Sequence, residues 1–463
     1  MVNTIYDLVV IGSGPAGQKG AIAAAKLGKK VAVIDRRGML GGVSLHTGTI
    51  PSKTMREAIM YMTGFRQRAF YGNGYSLKER IAKEDLSIRV RTVQERELDV
   101  VRHQFRRNGV EVIQGSARFF DQNTIEVTTD LGESSLTAEK ILIACGTRPA
   151  RDPMIPFDGQ TVVDAGELEH LTDIPRELIV VGGGVIGIEY ASMCAALGIR
   201  VTIIEQRPEM LEFVDREIVE LLQYHLRNLG AILRLGEKVL SVKKDSRGAV
   251  IALLESGKSV TGESLLYAVG RQSNADLLNL DAAGIAIDRR GKITVNEHYQ
   301  TAIPHIYAAG DVIGFPALAA TSMEQGRLAA CHMFGLPATN SACPLPYGVY
   351  TIPEISMIGK TERQLTEEKI PYEVGVAKYQ ELARGQILGD QTGKLKLLFD
   401  PGNLKLLGLH IIGEGATELI HIGQAIMNTG GTIEYFRDTV FNYPTLAEAY
   451  KVAALDGLNR LRN

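Results

Sequence analysis

The chain has 463 residues, 45% of them hydrophobic and 22% charged, with 49 glycines and a formal charge of −2. That length exceeds one hydrophobic core and predicts roughly two to four domains of a soluble, glycine-rich α/β protein. The balanced charge excludes a basic nucleic-acid footprint and a charged tail. The most apolar stretch, Leu178 to Ile188, contains four glycines and ends at Glu189. It is too short to cross a membrane, so no membrane partner is expected. No basic segment followed by an apolar core and cleavage site precedes Tyr6, so a cytoplasmic location is expected. Cys145, Cys194, Cys331 and Cys343 are far apart and lack metal-ligand spacing. They read as inert thiols of a reducing compartment, and no metal site is expected.

In chain order, the first element is a buried strand at 6–11, leading into Gly12-Ser13-Gly14-Pro15-Ala16-Gly17. An alanine-rich helix follows to Leu27, Gly28 stops it, and a second strand at 31–34 ends at Asp35. Each residue type has a reason in a dinucleotide-binding turn. Gly12 makes the turn, Gly14 lets backbone approach a pyrophosphate, and Gly17 lets helix pack on strand. The helix N-terminus offers N–H groups and partial positive charge to phosphate, and Asp35 can accept from ribose hydroxyls. The pattern recurs with the same glycine-to-acid spacing. A strand at 177–181 leads into Gly182-Gly183-Gly184-Val185-Ile186-Gly187, a helix runs to about Leu197, and a strand at 201–204 precedes Glu205. One glycine turn in a glycine-rich chain is weak evidence; two in full strand–turn–helix–strand–acid context are strong. They predict a redox device holding one resident flavin dinucleotide and one exchangeable nicotinamide nucleotide. Glu205 and Gly187 suit NAD, whereas Arg207 can reach a 2′-phosphate, so the pair leaves the preference between NAD and NADP open.

Four further segments carry a resemblance. Residues 41–53 read Gly-Gly-Val-Ser-Leu-His-Thr-Gly-Thr-Ile-Pro-Ser-Lys, and 141–149 read Ile-Leu-Ile-Ala-Cys-Gly-Thr-Arg-Pro. Thr301 to Asp311 place a glycine and an acid after a strand, and 443–448 read Tyr-Pro-Thr-Leu-Ala-Glu. With the two turns, these resemble the pyridine nucleotide-disulfide oxidoreductases, the family of lipoamide dehydrogenase and glutathione reductase, over nearly the whole chain. The resemblance implies two Rossmann-like domains and a C-terminal α+β dimerisation domain. FAD binding is expected at 1–150 and 275–345, NAD(P) binding at 151–274, and a homodimer interface at 346–463. It assigns Gly12, Gly14, Gly17, Asp35, Gly42, Gly146, Gly310 and Asp311 to FAD. It assigns Gly182, Gly184, Val185, Ile186, Gly187, Glu205, Arg207 and Gly270 to NAD(P). Lys53, paired with Glu189, is the expected catalytic pair beside the flavin N5.

Two departures from the family decide the expected reaction. The redox loop of the disulfide reductases carries two cysteines, and the matching positions here are Ser44 and Thr49. A hydroxyl has no accessible oxidised partner, so reducing equivalents cannot pass to a disulfide. The family's C-terminal histidine acid/base is here Tyr443, a poor proton shuttle near neutral pH. Glu448 remains, and Thr445-x-x-Glu448 reads as a helix capping box, as does Thr361-x-x-Gln364. The loop with threonine at the second cysteine position, and the ending from Phe441 to Lys451, resemble one branch of the family, the soluble Si-specific transhydrogenases. That branch implies reversible hydride transfer between NADPH and NAD⁺ through FAD, ping-pong and without a disulfide. Ser44 departs from it, since the branch usually keeps a cysteine there. Two other readings share the cofactor motifs: a diaphorase, quinone reductase or oxidase-like flavoprotein, and a decayed lipoamide-dehydrogenase-like scaffold. His46, His410 and His421 are given no role.

Overall fold

The computed structural model describes residues 4–36, 38–72, 74–168, 173–337 and 344–461; Cys343 lies outside them. The chain divides into two compact units, one of residues 1–55, 87–150 and 270–341, the other of 56–86, 151–269 and 342–463.

The first unit is built on a seven-stranded sheet. Strand Thr4–Ile11 lies between Val31–Asp35 and Gly132–Ile143, parallel to both, with Val9 opposite Ala32 and Ile141. The short strand Ile306–Ala308 runs parallel to the end of Gly132–Ile143, with Ile306 opposite Ile141. Successive side chains of a strand face opposite sides, and both sides are apolar here. Val9, Ile11, Ile34, Ile141 and Ile143 enter one core; Leu8, Val10, Val33 and Leu142 enter the other. Helices Pro15–Lys26 and Ala319–Met333 cross at backbone contact, because a Cβ on Gly326 would sit 2.0 Å from the Ala16 carbonyl oxygen. That crossing seats the N-terminus of the first helix at the C-terminal edge of the parallel strands.

The second unit repeats the device. Its five-stranded parallel sheet contains Glu177–Val181 between Arg200–Glu205 and Ser264–Tyr267. Helix Val185–Ala196 is almost wholly buried, which explains its apolar character around most of its circumference. The C-terminal part is a five-stranded antiparallel sheet, Tyr347–Val349, Ile355–Gly359, Leu406–Ile412, Lys394–Phe399 and Glu373–Lys378 in order. Leu395, Leu397, Phe399, Leu409 and Ile411 pack with Ile420, Tyr450 and Ala453 of two helices. No helix among the described residues is long and apolar enough to cross a membrane.

One cluster in this unit has no signature in the sequence. The Lys396 ammonium, fully buried, bonds Asp215 at 2.9 Å, Glu217 at 3.0 Å and Glu362. These three carboxylates converge closely enough to hold a metal ion, but the lysine supplies the cation. Asp215 also caps helix Arg216–Asn228 by accepting the Glu217 N–H.

The Thr361 capping box is present, with Gln364 returning a bond to the Thr361 N–H. The expected box at Thr445 and Glu448 is not. Helix Glu448–Arg460 has no side-chain cap, and the Thr445 hydroxyl donates to the Asn442 carbonyl at 2.7 Å. The helix begins too late for the box: its N-cap is Ala447, and the Glu448 N–H donates to the Thr445 carbonyl at 3.4 Å instead of to the hydroxyl.

Candidate active site

At the first turn, Gly12 has φ +102°, and a Cβ there would lie 2.3 Å from the Ala144 carbonyl oxygen. A Cβ on Gly17 would lie 1.9 Å from the Gly12 carbonyl oxygen. Both glycines are therefore steric necessities. Gly14 is the N-cap of helix Pro15–Lys26 and offers no side chain to its N–H groups, which stay available for an anion. Gly42, at φ +68°, comes so close to Gly14 that a Cβ would meet the Gly14 Cα at 2.8 Å.

Asp35 ends its strand and accepts the Ser13 N–H at 2.7 Å, the Ser13 hydroxyl, and the Arg36 N–H at 2.7 Å. Burial outweighs these bonds and holds its carboxyl above the ordinary range. Ser13 also accepts the Gly41 N–H at 2.8 Å, tying the turn to the 41–53 loop. Sequence reasoning missed this residue, although a small hydroxyl between two phosphate-turn glycines was a usable signal.

In the 41–53 loop, the Ser44 hydroxyl donates to the Gly41 carbonyl at 3.3 Å. Thr49 opens helix Thr49–Met62, which carries Lys53 half-buried in its first turns. The loop is anchored by His46, whose Nε2 bonds the Leu40 carbonyl at 2.8 Å, and by Gln94, which donates to the His46 carbonyl at 2.9 Å. His46 is thus structural. The other two histidines also have local partners: His410 the Lys360 carbonyl, and His421 the Gln424 side chain.

The crossover residues meet in the same unit. Gly146 and Gly310 both have positive φ, and the Gly310 N–H donates to Gln325 at 2.9 Å. Thr147 donates to Asp311 at 3.2 Å, and Arg271, after Gly270 at φ +103°, donates to the Thr147 hydroxyl at 2.7 Å and carbonyl at 2.8 Å. Arg148 answers from the opposite strand with a bidentate pair to Asp276. Thr147 and Arg271 support Asp311 and were not singled out in the sequence.

At the second turn the sterics repeat. Gly182 has φ +113° with a Cβ position 2.5 Å from the Ala268 carbonyl oxygen, and Gly187 would meet the Gly182 carbonyl oxygen at 2.1 Å. Gly184 caps helix Val185–Ala196 with no side-chain bond, and Val185 and Ile186 form its first turn. Glu205 is buried. It accepts the Gly183 N–H at 2.5 Å and, from Arg207, the N–H at 2.9 Å, Nε at 2.9 Å and Nη2 at 3.2 Å. Burial raises its pKa, but the Arg207 bonds and the Gly183 N–H outweigh it and leave the carboxyl below its ordinary range. Glu189, buried within the helix, accepts the Tyr350 N–H at 2.8 Å.

Compared with known proteins, residues 6–326 match the model of pyridine nucleotide-disulphide oxidoreductases, and residues 345–454 match the dimerisation domain of the same group. The soluble pyridine nucleotide transhydrogenase of Mycobacterium bovis is 54% identical over 99% of this chain and 98% of its own length. That of Erwinia tasmaniensis is 46% identical over 98% of each chain. Among solved structures, LpdA from Mycobacterium tuberculosis is similar with a TM-score of 0.89 at 26% identity, covering 98% of this chain and 99% of that one. The HOCl-induced flavoprotein disulfide reductase RclA from Escherichia coli gives 0.87 at 28% identity, covering 97% and 99%.

Proposed function

The chain belongs to the pyridine nucleotide-disulphide oxidoreductase family, and from that premise we propose that it is a soluble transhydrogenase. It catalyses NADPH + NAD⁺ ⇌ NADP⁺ + NADH by a ping-pong route, the first nucleotide leaving before the second binds. The observation that carries the reading is the pair Ser44 and Thr49 in the loop where the disulfide reductases hold their two sulfurs. With no dithiol to accept electrons, a second nucleotide is the acceptor the binding turns provide.

FAD fits the first unit. The uncapped N-terminus at Gly14, the close approach of Gly42, and the Asp311 carboxylate beside Gly310 form a donor and acceptor set suited to a pyrophosphate and a polyol. Gly12, Gly14, Gly17, Asp35, Gly42, Gly146, Gly310 and Asp311 hold it within residues 1–150 and 275–345. FAD supplies two-electron hydride chemistry when bound. The chain's own groups position and tune. Lys53, half-buried near the start of its helix, would supply positive charge to the flavin, and Glu189, buried in its own helix, is the second residue assigned a catalytic role. Gly182, Gly184 and Gly187 admit the second dinucleotide within residues 151–274, with Glu205 and Arg207 at its adenosine ribose and Val185, Ile186 and Gly270 along its length. Residues 346–463 pair two copies into a homodimer, and the enzyme works in the cytoplasm.

The test is NADPH-dependent reduction of a spectrally distinct NAD⁺ analogue by FAD-loaded protein without thiols. Rapid turnover with parallel double-reciprocal lines is expected. Flavin bleaching without transfer to the analogue overturns the proposal and points to quinones or oxygen as acceptor.

A further inference from the structure

A transhydrogenase must bind nucleotides with and without a 2′-phosphate at one site, and the Glu205–Arg207 pair has the geometry to do both. Its two members are unequal. The Glu205 side chain is 4% exposed, and two backbone N–H groups, of Gly183 and Arg207, fix its carboxylate. The Arg207 side chain is 41% exposed and, among the described residues, is held by side-chain bonds to Glu205 and a long bond, 3.4 Å, to Glu212. The acid is therefore the fixed member and the guanidinium the movable one. A Cβ on Gly183 would lie 2.9 Å from Glu205 Oε2, so glycine at that position is what lets the carboxylate sit beneath the turn.

The bond inventory makes the two states exclusive. Glu205 already accepts four donors, two on each oxygen, as many as its lone pairs allow. A ribose 2′-hydroxyl gains a place only when the guanidinium withdraws, and Glu212, which Arg207 Nη1 already reaches at 3.4 Å, can hold the withdrawn guanidinium. With the guanidinium in place, the acid is neutralised. Arg207, with five donors in a planar fork, then has capacity left for a phosphate. Opening leaves the buried carboxylate its two backbone N–H bonds, and the incoming 2′-hydroxyl supplies a donor in place of the guanidinium.

Resting on the transhydrogenase reading, we propose that Glu205 and Arg207 are a two-position selector. Closed, the pair shields the acid and presents a cation to a 2′-phosphate; open, with Arg207 turned to Glu212, it presents the acid to a 2′-hydroxyl. The site reads either adenosine ribose with one arginine movement and no change of backbone.

The test measures binding of ADP-ribose and 2′-phospho-ADP-ribose to the FAD-loaded protein, which needs no hydride chemistry. Wild type is expected to bind both. Arg207→Gln weakens the phosphorylated probe about 10- to 100-fold, the worth of a charged hydrogen-bonded contact, and leaves ADP-ribose within about threefold. Glu205→Gln does the reverse, weakening ADP-ribose and leaving the phosphorylated probe no weaker. Arg207→Lys, which keeps the charge but not the fork, falls between wild type and Arg207→Gln on the phosphorylated probe. Added salt weakens the phosphorylated probe more than ADP-ribose in wild type and not in Arg207→Gln. Equal losses for both probes in Arg207→Gln, no loss for either, or wild type that binds one probe alone overturns the selector. If neither NADH nor NADPH bleaches the flavin, the transhydrogenase reading fails on separate grounds.

Discussion

At the first glycine turn, the acid closing the second strand is Asp35, met by a serine hydroxyl and backbone N–H groups and held above its ordinary pKa by burial. At the second it is Glu205, met by two backbone N–H groups and a guanidinium and held below its ordinary pKa. The backbones are near copies: positive φ at Gly12 and Gly182, the same clash beneath Gly17 and Gly187, and uncapped helices at Gly14 and Gly184. Shared sterics suit both turns to a dinucleotide, the role proposed for each. The partner of the acid makes them different, uncharged donors at the first, as suits a resident group, and an arginine at the second, as suits a ligand that must exchange.

The comparison breaks most visibly through the glycines. Gly12→Ala is expected to yield colourless protein, because positive φ and the clash with Ala144 together cost roughly 3 kcal/mol or more, at least about 100-fold in FAD affinity. Gly182→Ala meets Ala268 in the same way and should leave the protein yellow but unable to bind nucleotide. Absorbance and nucleotide titration separate the two; loss of both ligands in either variant contradicts independent sockets.

Next in size is the buried cluster that braces the second unit. Lys396→Met leaves Asp215 charged and unpaired in the interior, and about 3–5 kcal/mol of stability is expected to go, measured by urea unfolding. A change under about 1 kcal/mol would show that the cluster is more solvated than its burial indicates.

A smaller effect distinguishes the two acids by sign. Asp35 has a raised folded pKa, so its contribution to stability is present below the ordinary carboxylate range and lost as pH rises. Glu205 has a lowered one, so its contribution is present above that range and lost as pH falls. In flavin-free protein, Asp35→Asn should raise stability at pH 7 and do little near pH 3. Glu205→Gln should lower stability at pH 7, the deficit shrinking towards pH 3. Thermal melts across that range decide; the same sign for both removes the electrostatic half of the comparison.

The smallest effect lies in the remaining thiols. Burial pushes Cys145 and Cys194 up to about 12, so neither should react appreciably with a disulfide reagent at pH 8 in folded protein.

Much of this was legible in the sequence because phosphate-binding turns are local. Gly12 to Asp35 and Gly182 to Glu205 each lie in one continuous strand–turn–helix–strand segment, so spacing alone places them. What was not legible depends on tertiary contact. Lys396 looks like an outward strand residue and is buried only because Asp215, 181 positions away, comes to meet it. Arg271 and Thr147 are 124 positions apart and pair only where their strands meet. Thr445 shows the converse error: its spacing to Glu448 satisfies a local capping pattern, but the helix starts only after Ala447 and the Glu448 N–H goes to the Thr445 carbonyl.

In the proposed cycle, electrons stop at the flavin until a second nucleotide arrives. Anaerobic titration of FAD-loaded protein with NADPH, with NADP⁺ continuously removed, measures it directly. Complete bleaching after two electrons per chain with no further uptake is expected, since Ser44 and Thr49 accept none. Uptake of four electrons per chain would reveal a second redox centre and contradict it.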